Sequence, residues 1–295
     1  TALATFAKLY DEPGTAPRRA RLPALHAGAL NSVLGKLAAY PRRLADLGND
    51  YVSTEMWHET MQQKDGTMTR RLSSETGFAS TPEDWVLSGP HFFLANPYNK
   101  TPRKVCTANG HYDVIDLDTL PDDYLPRTNY RPMADKLEYL SRTPRVSWSE
   151  QDGVAQAEPV TKFFRFVLRK MLSVSGERTF IGVIQPPSSA HIHGCYSMAF
   201  RSLKAMIDFA AVAASIAGDF LVKSTGRGNV NGIPEMVPLL ECNATVSARY
   251  LALNCLTAHY APLWEEVYAP DFPEQSWSQP DNPLLPKDFW SNLSH

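Results

Sequence analysis

ERTFIGVIQPP at residues 177–187 and DFLVKSTGRGNV at residues 219–230, the latter running on through Asn231-Gly232 to Ile233-Pro234, decide how this chain is read. The first leaves a Ser175-Gly176 turn, carries the apolar residues Phe180, Ile181, Val183 and Ile184, and is closed by Pro186-Pro187, which cannot donate ladder hydrogen bonds. That pattern predicts a buried strand with a sharp stop. Over residues 197–222, Met198, Leu203, Met206, Ile207, Phe209, Ala210, Val212, Ala213, Ile216, Phe220 and Leu221 recur at near-helical spacing, with Gly218 near the end, which predicts a core helix. The loop after it, Lys223-Ser224-Thr225-Gly226-Arg227-Gly228-Asn229, offers two glycines, two hydroxyls and two cations. Such a loop suits backbone N–H groups approaching phosphate; it equally suits a plain helix exit through a left-handed glycine at Gly226 or Gly228.

Upstream, residues 20–47 carry leucines at mostly helical intervals, broken by Pro41 and stopped by Gly48-Asn49. Residues 51–63 and 67–72 around the Lys64-Asp65-Gly66 turn read as a hairpin, and residues 85–94 as a strand interrupted by Gly89-Pro90. Two segments then concentrate Pro, Tyr, Asn and Arg: NPYNKTPR at residues 96–103 and LPRTNYRP at residues 125–132. Prolines fix their paths, while Arg and Asn carry the planar groups that pair with guanine and adenine in a major groove. A rigid connector has the same composition. Residues 160–173 interleave Phe163, Phe164, Phe166, Val167, Leu168 and Met171 with Lys162, Arg165, Arg169 and Lys170, which predicts a helix with one apolar and one basic face. Arg178, entering a buried strand beside Glu177, reads as an ion-pairing or backbone-anchoring group, with a DNA contact as the alternative. Residues 245–268 form a further helical pattern that Pro262 is expected to kink, and the Pro- and Trp-rich residues 269–295 lack periodicity and are expected to wrap the surface.

The two opening stretches, in this order around an apolar helical run, resemble the target-recognition domain of the large adenine-specific DNA methyltransferases found in single-chain type II restriction-modification enzymes and related phage-defence systems. The resemblance covers roughly residues 51–268 and implies a part that reads duplex DNA and positions it for an upstream methyltransferase domain outside this chain. S-adenosylmethionine would belong to that parent enzyme, and no cofactor to this chain. The organisation expected is a helical linker at 1–50, a recognition domain at 51–270 and an extended tail at 271–295, with an α+β fold: a mixed twisted sheet packed against helices near 160–173, 198–222 and 245–268, with an N-terminal helical segment. The expected DNA-binding residues are Lys100, Arg103, Lys104, Arg127, Asn129 and Arg131 from the Tyr/Asn/Arg loops and Lys223, Thr225, Arg227 and Asn229 from the glycine loop. An interaction or assembly module of a defence system is the competing class.

Composition neither demands nor forbids this. The 295 residues are 43% hydrophobic and 20% charged, enough for one sizeable core, and the net charge is only −2. The distribution is uneven, because from Lys223 onward there are four basic residues against eight acidic, leaving 25 against 23 before it. Basic pairs such as Arg42-Arg43, Arg70-Arg71 and Arg103-Lys104 make a phosphate-binding face only if the fold gathers them. No secretory leader opens the chain, Thr1 in place of Met fits a piece of a longer polypeptide, and Cys106, Cys195, Cys242 and Cys255 lack Cys-x-x-Cys spacing, so reduced thiols in a cytoplasm are expected, with no membrane span.

Catalytic chemistry finds little foothold. Asn96-Pro97-Tyr98 is one proline short of the motif with which amino-methyltransferases hold a target amine, and no strand ends in a Gly-x-Gly turn suited to S-adenosylmethionine. No Asp or Glu has Lys two positions on, as a metal-dependent nuclease core would require. The Asp113, Asp116, Asp118, Asp122 and Asp123 run fits a strand and turn better than a metal site. His191, His193 and Cys195 are too few for structural zinc and are expected to form a mobile turn. Neither Ser-x-x-Lys nor Gly-x-Ser-x-Gly occurs.

Overall fold

The computed structural model describes the chain except residues 24, 26, 72–75, 109, 134, 152–153, 284 and 294–295, with backbone alone at 150–151. The fold is α+β. Helices α1 (Ala2–Tyr10) and α2 (Ala29–Ala39) lead to strand β1 (Tyr51–Thr54) and a short α3 (Met61–Lys64). Seven short strands follow: β2 (Met68–Arg70), β3 (Gly77–Phe78), β4 (Val86–Leu87), β5 (Lys100–Pro102), β6 (Tyr112–Val114), β7 (Arg127–Thr128) and β8 (Tyr130–Pro132). Helix α4 (Lys136–Arg142) precedes the hairpin β9 (Arg145–Gln151) and β10 (Val154–Pro159), then β11 (Arg165–Arg169), β12 (Gly182–Gln185), β13 (Ala190–His191) and β14 (Cys195–Phe200). Helices α5 (Leu203–Ala214), α6 (Ile216–Ser224), α7 (Ala244–Asn254) and α8 (Ala261–Val267) complete it.

The central sheet has the order β1-β14-β11-β12 and is antiparallel throughout, with Phe166 opposite Met198 and Ile184. The expected mixed sheet is therefore one antiparallel sheet with small two-stranded ladders around it: β2-β8, β3-β7, β5-β6, β9-β10 and the parallel β4-β13. Phe166, Phe180 and Phe200 all meet Phe209 of α5, so the core lies between the sheet and that helix. Phe6, Leu9, Tyr10 and Leu34 from the N-terminal segment join the same core, as do Phe272 and Trp290 from the C-terminal residues.

Several expected elements differ. Residues 160–173 are not a helix: after a 3-10 turn at Val160–Lys162 comes β11, whose Arg165 is fully buried. Its guanidinium donates to Ser189 O and to Met56 Sδ, and burial holds its pKa down at about 10. The core helix over 197–222 is a strand and two helices, because Ser202 caps α5 and Ser215 caps α6, with a bend of 71° between them. Gly218 lies in the first turn of α6, where a Cβ would meet Val212 O at 2.1 Å. The expected hairpin is absent, since β1 pairs with β14 and β2 with β8; position 72 lies outside the described residues. Residues 85–94 yield only β4, ended by a 3-10 turn at Gly89–His91. Of residues 20–47, α2 is helical and stops before Pro41, and positions 24 and 26 lie outside the described residues. Pro262 begins α8 instead of kinking a longer helix. Among the described residues no single helix is long and apolar enough to cross a membrane.

Candidate functional site

The two opening stretches meet as a clamp. Asp219, in the first turn of α6, accepts the N–H groups of Thr179 and Phe180 on one carboxylate oxygen, both at 2.7 Å. Arg178 lies 3.4 Å from that oxygen and donates to Ala214 O and Ser215 O at 2.7 and 3.1 Å, satisfying carbonyls that the end of α5 leaves open. Its anchoring role is as expected, though its acidic partner comes from the other stretch. Lys223 reaches Gly176 O at 2.8 Å. Backbone bonds from Leu172 to Gly228 and from Val230 to Lys170 then lay the glycine loop along the end of β11.

The loop groups expected to face phosphate are thus engaged internally. Thr225 Oγ1 donates to Val222 O, Arg227 Nη1 donates to Asn231 O, and Asn229 Oδ1 accepts from Asn231 N. Gly226, at φ +65°, provides the left-handed exit from α6. Tyr10 of α1 bonds Ser224 at 2.7 Å, so the N-terminal segment leans on the same loop.

The other expected group lies elsewhere, on β5, β7 and β8, and its two segments are tied together. Arg127 N donates to Thr101 Oγ1 at 2.9 Å, Thr76 Oγ1 donates to Arg103 O at 2.9 Å, and Arg127 Nη1 donates to Thr76 O at 2.7 Å. Arg127 also lies over the Phe78 ring at 4.3 Å. Arg103 pairs with Asp113 of β6 at 2.7 Å, whereas Lys100, Lys104 and Arg131 have no hydrogen-bond or ion-pair partner for their side chains among the described residues. Asn129 is not presented to solvent: it is 9% exposed and donates to Tyr112 Oη at 2.8 Å. A buried chain continues from Tyr112 to Ser88 Oγ and from there to His91, each at 2.9 Å. His91 Nδ1 accepts from Ser88 N, which leaves Nε2–H to donate to Arg127 O at 2.9 Å. Burial lowers the His91 pKa and pushes Tyr112 up to about 12, so both stay neutral.

That chain braces one wall of an open cleft of about 660 Å³, whose lining includes Glu59, Ser88, Phe93, Asn99, Lys100 and Arg169. Arg169 Nε donates to Gly89 O at 2.9 Å and Nη2 to Phe92 O, and the guanidinium stands 5.6 Å from the Phe92 and Phe93 rings. No carboxylate pairs with it among the described residues. Next to it, Lys170 is fixed by Glu55 at 2.6 Å and donates to His193 Nε2 at 2.8 Å, while His193 Nδ1 faces Glu55 at 3.0 Å. Phe93 and Asn96 close a tight turn whose central residues, Leu94 and Ala95, have φ of +35° and +60°. Neither is glycine, and left-handed backbone costs each of the order of 1–2 kcal/mol, offset here by the buried Ala95 N–H bonding Gly182 O.

The remaining motifs have structural roles. Asn96 accepts from Tyr98 N, and Tyr98 is buried, stacked 5.6 Å from Trp85 and bonded to Thr257. The turn expected at His191, His193 and Cys195 is ordered: His191 belongs to β13 and bonds Ser197 Oγ at 2.7 Å, and Cys195 is buried in β14. Burial and the nearby Arg165 push His191 down to about 3. Among the described residues no three His, Cys, Asp or Glu side chains gather to hold a metal ion. Sequence reasoning missed Arg169, Phe93 and Asn99 as neighbours, and residues 93–96, a turn without glycine, carried no sign of their strain in the sequence. Comparison with protein-family models, curated proteins and solved structures found no match to this chain.

Proposed function

We propose that this chain is the sequence-reading part of an adenine-specific DNA methyltransferase or restriction-modification enzyme, working in the cytoplasm and holding duplex DNA for a catalytic domain outside it. The parent enzyme would use S-adenosylmethionine on that other domain. The observation that carries the proposal is that Lys100, Lys104 and Arg131 have no ion-pair partner among the described residues, with Lys100 lining an open cleft. Unpaired cations are what a phosphate backbone needs, and each phosphate neutralised adds roughly −0.9 to the slope of log K against log salt. Replacing Lys104 and Arg131 by Ala should flatten that slope by up to about 2 while the chain stays folded. An unchanged slope, or no duplex binding by the native chain at low salt, sinks the proposal.

A second reading, an interaction module of a phage-defence assembly, is favoured by Val105, next to Lys104 in the chain, and Val114, opposite Lys100, which are 56% and 74% exposed. Replacing Val105 and Val114 by Ser would then abolish capture of the partner protein while leaving the salt slope of duplex binding untouched.

A further inference from the structure

We infer that the cleft beside Arg169 binds one unstacked nucleotide carrying a base with an exocyclic amine. Its volume, about 660 Å³, is within the range of small-molecule sites. Phe93 lines the cleft with its ring partly exposed and is held there by the turn with positive φ at Leu94 and Ala95, whose Ala95 is anchored in the core. Arg169 is oriented by two backbone carbonyls, and its Nη1 is left without a partner among the described residues; with Lys100 it supplies the charge for one phosphate. Asn99 and Glu59 line the same cleft, and their side chains have no hydrogen-bond partner among the described residues. An amide and a carboxylate lining one cleft match a base edge that donates from an amine, as adenine or cytosine does and thymine does not.

The shared chemistry is a nucleoside monophosphate, whether unstacked from a strand or free in solution. The first source rests on the proposed DNA-reading role; the second does not need it. Calorimetry with dAMP, dTMP and inorganic phosphate on the full chain tests the pocket. We expect dAMP to bind at least tenfold tighter than dTMP, Asn99→Ala to lose that preference, and Lys100→Ala to weaken both nucleotides alike. Asn99 and Lys100 are both half-buried, so urea unfolding of each variant verifies the fold. A duplex carrying 2-aminopurine separates the sources: a fluorescence rise on binding that Phe93→Leu abolishes assigns the pocket to an unstacked base, and dAMP selectivity without that rise assigns it to a free nucleotide. Equal binding of dAMP, dTMP and phosphate, or an Asn99→Ala chain that keeps full dAMP selectivity, overturns the inference. Duplex binding would survive that failure, whereas dAMP selectivity without any duplex binding would remove the DNA-reading role alone.

Discussion

Replacing Asp219 by Ala removes the one carboxylate that joins the two stretches from which the chain was read. The N–H groups of Thr179 and Phe180 lose their acceptor and Arg178 its acidic partner, keeping only its bonds to Ala214 O and Ser215 O, in a region where Thr179, Phe180 and Asp219 are buried. Each backbone bond to a charged acceptor contributes about 1.5–3 kcal/mol, and breaking a buried ion pair from one side costs about 3–5 kcal/mol. These overlap, since the same oxygen serves all three, so the expected loss is about 3–5 kcal/mol and not their sum. Asp219→Asn keeps an acceptor oxygen and should cost about half as much. Urea unfolding reads the effect as a fall in midpoint at constant slope. Adding Arg178→Met to the Ala variant should recover part of the loss, because it removes the stranded charge. A loss below about 1 kcal/mol for Asp219→Ala would show that water replaces the carboxylate freely and that the clamp does not hold the strand.

Three further outcomes are expected. Asn129→Ala should lower stability by about 1–3 kcal/mol, since it takes the Asn129 donor away from the buried Tyr112 Oη, which keeps only Ser88 Oγ, and a urea midpoint equal to the native chain's would refute that role. Acid should destabilise the chain: His191, held down at about 3, and His91, lowered by burial, stay neutral when folded but take up protons near pH 6.5 when unfolded. Their contribution is complete above about pH 6.5 and is lost as pH falls through it, by about 2 kcal/mol from His191 near pH 5, and His191→Gln should flatten that dependence in urea midpoints. Gly182→Ala should be strongly destabilising, because its Cβ would lie 2.4 Å from Phe166 Cζ and 2.8 Å from Leu168 Cδ2; a melting temperature equal to the native chain's would refute that packing.

What the sequence revealed and concealed follows from how burial relates to residue type. The strand at β12 and the helices α5 and α6 were legible because apolar residues mark them directly, and Arg178 was legible because a cation entering a buried strand must find a partner. Residues 160–173 misled because polarity there does not report exposure. In β11, Phe166 faces Phe209 while Arg165 on the opposite side is fully buried among Ser189, Met56 and Gln185. A strand buried on both faces loses its two-residue alternation and, with cations inside, imitates an amphipathic helix. The same blindness applied at β14, where Ser197 is buried because His191 bonds it, so the strand merged with the helix after it. Among the ten residues expected to bind DNA, side-chain type was again a poor guide to orientation: Asn129 turns inward to brace Ser88 and His91, and the glycine loop binds itself. Lys100 and Lys104, neighbours of Arg103 in the chain, stay unpaired among the described residues for a local reason. Asp113, the acid on the β6 strand opposite, is already taken by Arg103, and pairing one cation leaves its neighbours without an acid.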